Sequence, residues 1–297
     1  MILFDISQVM WAVAHGAAAS EGLPPGDKST RVLKNMLLSS MLFYKTKFKE
    51  CGDLVVCCDS DRYWRRDYFP YYKGNRKELR EKSKVDSGFI ADFIFQFKID
   101  LKEYFKFKVI QVDGAEADDV IGSLAKFSCT NELTETIMGD EPSPVVIVSE
   151  DGDFTSFTRY SHITQHGPRK KAEIKLKVPL NEFLIEHIVR GDSVDAIPNI
   201  LSPDNSIVDK IKQKSITKEY LEKFFRLGEA ACETETEKRN WIRNKTLVSF
   251  DSIPTEIEQK IIEAYIGYEI KGTKKSVLNY LIKNRCSPRL IESLERF

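Results

Sequence analysis

Val145-Val146-Ile147-Val148-Ser149-Glu150-Asp151-Gly152-Asp153-Phe154 joins a run of four β-branched residues to two carboxylates set around a glycine. Such a run reads as a strand buried on both faces, the kind a parallel sheet uses. The glycine lets the backbone turn sharply and present Asp151 and Asp153 near one point. The same pattern recurs along the chain. Ile2-Leu3-Phe4 ends on Asp5, Leu54 to Cys58 ends on Asp59, and Val109 to Val112 leads into Glu116-Ala117-Asp118-Asp119. Helical patterns separate these runs. Alternating strands and helices predict a mostly parallel central sheet flanked by helices, with ligand-binding groups at the carboxyl ends of its strands.

Working outward, the first helix begins at Ser7 to Val13, a Gly/Pro loop covers Glu21 to Asp27, and a second helix runs from about Ser29 to Glu50. A long helix is predicted through Phe89-Ile90-Asp92-Phe93-Ile94-Phe97, another over Ala115 to Ser128, and a short fifth strand at His162 to Gln165. The acidic stretch Asn131 to Pro144 reads as solvated surface. Beyond about Pro179 the pattern is helical to Phe297, interrupted by Pro198, Pro203, Pro254 and Pro288. The expected division is an α/β domain over 1–180, including a basic arch region at about 60–100, and a smaller helical domain over 181–297.

The 297 residues suffice for a large core, and 42% hydrophobic with 30% charged residues exclude a mainly disordered chain. No apolar stretch approaches the roughly 20 residues that span a bilayer, and the start at Met1-Ile2-Leu3-Phe4-Asp5 lacks a signal-peptide pattern. A cytoplasmic protein with no membrane partner is expected. The six cysteines form no Cys-x-x-Cys pair and read as reduced thiols. Basic and acidic residues balance at 45 each, so only their distribution is informative.

Acids after a strand are often helix caps or turn formers, and three acids in Glu116 to Asp119 suit a helix N-terminus. Their repetition at Asp151 and Asp153, and again at Asp192 and Asp195 in Gly191-Asp192-Ser193-Val194-Asp195, argues for more. Carboxylates gathered closely raise one another's pKa unless cations neutralise them. Hard divalent ions such as Mg²⁺ match that demand, and two of them form a phosphoryl-transfer site. The four histidines (His15, His162, His166, His187) lie outside the acidic clusters.

Directly after Asp59, Arg62-Tyr63-Trp64-Arg65-Arg66-Asp67-Tyr68-Phe69-Pro70-Tyr71-Tyr72-Lys73-Gly74-Asn75-Arg76-Lys77 interleaves cations with aromatic rings. Between Arg62 and Lys84 there are nine basic and three acidic residues. Cations suit phosphates and rings suit unpaired bases, which makes Arg62, Trp64, Arg66, Arg76 and Lys77 candidate nucleic-acid contacts.

The ordered series Phe4-Asp5-Ile6-Ser7-Gln8, Cys58-Asp59-Ser60, Tyr63-Trp64-Arg65-Arg66, Tyr71-Tyr72-Lys73, Glu116 to Asp119, Ser149 to Phe154 and Gly191 to Asp195 resembles the flap endonuclease/5′-nuclease family. The motifs span residues 4 to 195. The resemblance implies a Mg²⁺-dependent 5′-3′ exonuclease and flap endonuclease with two ions, Mn²⁺ able to substitute. It would act on duplex DNA and RNA·DNA hybrid with 5′ ends or flaps and remove RNA primers in replication. It further implies Asp5, Asp59, Glu116, Asp118 and Asp151 around the first ion, and Asp119, Asp153, Asp192 and Asp195 around the second. Arg65, Tyr72 and Lys73 would contact the scissile phosphate or the 5′ strand. A single-strand DNA-binding protein and a sliding clamp are the implied partners of a monomer. Ile197 to Ser206 lacks the glycines of the family's helix-hairpin-helix, leaving Lys210, Lys212 and Lys214 as a simpler grip on duplex.

Two other readings compete. A dehalogenase-type phosphatase needs a second carboxylate two residues after the first, and Asp5-Ile6-Ser7 has none. A non-catalytic branched-DNA-binding protein would usually have lost ligands, and every expected carboxylate is present.

Overall fold

The computed structural model describes residues 1–83, 85–130 and 142–297. Most of the acidic stretch read as solvated surface, residues 131–141, lies outside the described residues. The chain divides into two compact units. An α/β unit comprises residues 1–60, 83–175 and 256–297, and a helical unit comprises 61–82 and 176–255.

In the α/β unit six strands, β1 (Ile2–Asp5), β2 (Leu54–Cys57), β3 (Lys108–Ile110), β4 (Val145–Val148), β5 (Ile163–Gly167) and β6 (Ala172–Ile174), form one sheet in the order β3-β2-β1-β4-β5-β6. All neighbours pair in parallel except β5 and β6. Ile2 aligns with Leu54 on one side and Val146 on the other, so β1 is central. Every residue of β1, β2 and β4 is buried, because helices cover both faces. Strand order reverses between β1 and β4, and an open α/β sheet has its ligand crevice at that point. The antiparallel β6 was not foreseen, since its exposed Ala172 and Glu173 carry no apolar run.

Helices α1 (Ile6–Glu21), α2 (Asp27–Lys47), α5 (Ser87–Tyr104) and α6 (Ala117–Phe127) flank the sheet. Asp5 caps α1 by accepting from the Gln8 amide at 3.0 Å, and Asp86 caps α5 through Phe89 at 2.9 Å. The last three helices, α10 (Thr255–Ile266), α11 (Lys274–Lys283) and α12 (Pro288–Glu292), belong with this unit rather than with a C-terminal domain from 181. Val277, Tyr280, Leu281, Leu290 and Phe297 join the core that holds Phe4, Tyr44 and Phe97. The Phe297 ring meets Phe105 edge-on at 5.7 Å. Gly272 backs onto the Phe105 main chain, where a Cβ would lie 2.1 Å from the carbonyl oxygen.

The helical unit contains α3 (Trp64–Tyr68), α4 (Arg76–Glu81), α7 (Leu180–Arg190), α8 (Lys218–Leu227) and α9 (Glu235–Val248). Its core gathers Phe69, Tyr72, Ile188, Ile197, Ile200, Phe224 and Trp241, with the last two rings stacked at 5.3 Å. The basic segment 61–82 therefore packs here, whereas 83–104 belongs to the α/β unit. No helix among the described residues is long and apolar enough to cross a membrane. All six cysteines are free.

Candidate active site

The crevice edge of the α/β unit is built from the loops that leave β1, β2 and β4. Asp5 closes β1, Asp59 follows β2 by two residues, and Asp151 follows β4 by three. Hydrogen bonds tie these loops together across the sheet. Asp5 is buried, and its Oδ2 accepts from Ser149 Oγ at 3.0 Å. Asp59 accepts from Ser7 Oγ at 2.7 Å and from the Ala117 amide at 2.9 Å, which links β2 to the starts of α1 and α6. Asp151 accepts from the Asp153 amide at 3.0 Å and heads the 3₁₀ turn Gly152–Arg159.

The electrostatics follow from this crowding. Burial, then the charges of Asp59 and Asp151, push the Asp5 carboxyl up to about 7, against the hydrogen bonds from Gln8 and Ser149. A buried acid facing two others is a site where an added cation is favourable. Glu116 and Asp119 are also buried, and Asp119 Oδ2 accepts from the Glu116 amide at 2.9 Å as one half of a capping box for α6. Asp118 is half-buried in the first turn of that helix.

As the side chains are placed, no three His, Cys, Asp or Glu groups among the described residues stand close enough to hold an ion. The carboxylates of Asp5, Asp59, Asp119 and Asp151 each accept from donors of their own and adjoining loops. The donor set is nonetheless all oxygen, which suits a hard divalent cation and not a soft one.

Three residues that the sequence reading did not single out organise this edge. Ser7 and Ser149 hold Asp59 and Asp5. Gln165, fully buried on β5, donates through Nε2 to the carbonyls of Ser149 at 2.9 Å and Asp151 at 2.6 Å. A polar residue within a predicted strand, next in the sheet to the acidic turn, was the available signal.

The remaining candidates lie in the helical unit. Gly191, at φ 67°, turns the chain after α7, and a Cβ there would lie 2.3 Å from the Ile197 oxygen. Asp192 and Ile197 then pair as an isolated bridge. Asp192 Oδ1 accepts from the Val194 amide at 2.7 Å, and His187 Nε2 stands 4.0 Å from its Oδ2. Asp195 is enclosed by donors: Tyr72 Oη at 3.0 Å, Arg76 Nη2 at 3.0 Å and Lys73 Nζ at 3.5 Å. Burial alone would raise its carboxyl, but Lys73 and Arg76 outweigh that and hold it below the ordinary value. Lys73 is itself buried, with Nζ 4.9 Å above the Tyr72 ring. Arg65 is buried too, its Nε donating to the Leu247 carbonyl at 2.9 Å. Arg62, Arg66, Lys77, Lys210 and Lys212 are exposed, and Trp64 is half-buried beneath the Arg65 guanidinium at 4.6 Å. Lys210 pairs with Glu78 at 3.0 Å. No helix forms over 198–217; Arg243, Asn240 and Asn244 of α9 bind its carbonyls at Pro198 and Ile200 instead.

Residues 2–178, which contain the whole sheet and both acidic turns of the α/β unit, match the family described as 5′-3′ exonuclease, N-terminal resolvase-like domain. The chain belongs to the 5′-3′ exonuclease family. It is therefore a nuclease. Ribonuclease H of Enterobacteria phage T4 is 29% identical over 307 residues, covering 99% of this chain and 95% of the relative. DNA polymerase I of Pseudomonas aeruginosa is 27% identical over 210 residues, 67% of this chain but 20% of that protein. Among solved structures, the bacteriophage T5 flap endonuclease in a pseudo-enzyme-product complex with DNA and metal ions matches with a TM-score of 0.58 at 15% identity, covering 96% of this chain and 98% of that one. The T5 5′-exonuclease with bound divalent metal ions (zinc) matches at 0.56 and 15%, covering 96% and 99%. The parallel sheet with flanking helices is thus a 5′-3′ exonuclease fold.

Proposed function

We propose that this chain is a Mg²⁺-dependent 5′-3′ exonuclease and flap endonuclease that hydrolyses phosphodiesters of RNA·DNA hybrid and duplex DNA and removes RNA primers during replication. One observation carries the reading: in a chain of this family, Asp5, Asp59 and Asp151 leave three adjacent parallel strands at one edge, where Asp5 is buried within the field of the other two. Asp5, Asp59, Glu116, Asp118 and Asp151 are the residues that would hold a first ion, with Asp119 and Asp153 toward a second. Divalent ions held there supply Lewis acidity and countercharge for phosphodiester hydrolysis.

The protein's own groups prepare that edge. Ser7 and Ser149 orient the Asp59 and Asp5 carboxylates, so little reorganisation remains when charge develops. Gln165 fixes the backbone that carries Asp151. In the helical unit the exposed Arg62, Arg66, Lys77 and Lys212 offer charge to a sugar-phosphate strand, and Trp64 offers a ring. Asp195 holds Lys73, Arg76 and Tyr72 in one group, a use that favours positioning of cations over ligation of an ion. The T4 ribonuclease H and the DNA-bound T5 structure support nucleic acid as the substrate class. A single-strand DNA-binding protein and a sliding clamp remain the partners proposed for it at a replication fork.

The test is cleavage of 5′-labelled RNA·DNA hybrid, nicked duplex and flap substrates with and without Mg²⁺. Short products from the 5′ end are expected, appearing only with the ion. Asp151→Asn should abolish cleavage and leave branched-DNA binding; binding without cleavage by the unaltered protein would instead favour a non-catalytic DNA-binding role.

A further inference from the structure

Within the α/β unit, helices α1, α2 and α12 and the turn after β5 enclose a groove of about 940 Å³. Val9, Val13, Met36, Leu42 and Leu290 give it a largely apolar lining, with the hydroxyls of Ser39, Ser40, Thr46, Ser287 and Ser293 between them. Lys47, Lys171, Arg289 and Arg296 stand around it, and no aspartate or glutamate is among the described residues that line it. A fifth cation, Arg169, is paired with Glu150. The other four have no carboxylate partner among the described residues: Lys171 Nζ lies 4.7 Å over the Phe43 ring, Lys47 Nζ is 2.9 Å from His166 Nε2, and Arg296 donates to Thr46.

A largely apolar lining under an unneutralised cationic rim selects an occupant that is apolar on one side and anionic on the other. We infer that this groove binds an acidic segment of a partner protein that carries apolar side chains, in the manner of an amphipathic peptide laid into a groove. A nucleic-acid strand fits less well. Bases bind through aromatic stacking, and Phe43, the one Phe, Tyr or Trp of the described lining, already has a Lys171 ammonium over its face. The groove draws on none of the residues assigned to the carboxylate edge.

Fluorescence anisotropy of the full-length chain with a short fluorescein-labelled peptide in which aspartate alternates with leucine and phenylalanine tests this. The peptide should bind, with affinity that falls as salt is added. The double variant M36E/R289E, altered at two exposed positions, should weaken it roughly tenfold or more, about 1.4 kcal/mol or more, while cleavage of 5′-labelled nicked duplex stays unchanged. R289E alone keeps the test available should M36E disturb α2. The inference is overturned if the unaltered chain does not bind the peptide, if a version with asparagine for aspartate binds equally, if the variants bind as well as the parent, or if oligo-dT displaces the peptide.

Discussion

Ser149 Oγ donates to Asp5 Oδ2 at 3.0 Å, a hydrogen bond that joins the ends of the two central strands at the point where strand order reverses. The same hydroxyl accepts from the Asp151 amide at 3.2 Å, so one small side chain fixes two of the proposed ligands. Both Ser149 and Asp5 are buried, and water cannot replace the lost donor freely. Ser149→Ala should lower stability by about 1–3 kcal/mol and reduce cleavage as well. Urea denaturation with the same slope and an unshifted midpoint would show that this contact carries no weight.

Asp5 gives the protein an unusual pH dependence. Its carboxyl is raised from 3.8 to about 7, first by burial and then by Asp59 and Asp151. Between those values the folded chain keeps a proton that the unfolded chain has released, so stability falls as pH rises through the window. In EDTA the melting temperature should be higher near about pH 5 than near about pH 8. A divalent cation that binds the ionised edge should raise it more at the higher pH. A melting temperature that climbs from acid to neutral pH in EDTA would count against the buried, crowded Asp5.

Gln165 meets the candidate ligand Asp151 at its backbone carbonyl, and its two hydrogen bonds hold the backbone of the acidic turn. Gln165→Leu should therefore act on metal use more than on folding. Groups that support ligands commonly change metal affinity by roughly 10–100-fold. Titrating cleavage against Mg²⁺ should show the requirement shifted upward with much of the maximal rate recovered at high ion. A lowered maximum with an unshifted midpoint would assign Gln165 to structure alone.

In the helical unit, Asp195 balances Lys73, whose side chain is 4% exposed. Asp195→Asn leaves one acceptor oxygen where Tyr72 and Arg76 use two, and removes the charge that faces a buried ammonium. The expected loss is about 3–5 kcal/mol. Because the native carboxyl lies below its ordinary 3.8, the difference between parent and variant should be full above that pH and shrink as acid titrates the parent's carboxylate. Chemical denaturation at neutral and acid pH measures both; equal stability at neutral pH would remove Asp195 as the partner of Lys73.

Strands β1, β2 and β4 were legible because burial on both faces demands continuous aliphatic runs, and Asp5, Asp59 and Asp151 were legible because each ends or follows such a run. Their shared edge followed from parallel order alone. The C-terminal helices were legible as helices, but not in their allegiance: α11 looks no different from α8 until Val277 and Leu281 are seen to join the core that holds Phe105 and Phe107. Likewise Phe69 and Tyr72 read as arch aromatics and prove to be core. Ser7, Ser149 and Gln165 passed unnoticed because hydroxyl and amide side chains carry no periodic signal; their meaning is the atom they face.

Local composition by itself determined where β1, β2 and β4 lie, where the acids sit relative to strand ends, and that cations and rings alternate after Asp59. Those properties depend on neighbours a few residues away. Only the tertiary structure decided that the chain returns to its first core after residue 255, that Asp195 faces Lys73, and that buried Asp5 accepts from a serine that follows another strand. Each of those depends on groups more than a hundred residues apart, brought together by the common burial of apolar surface, which selects shape and volume and leaves no periodic mark along the chain.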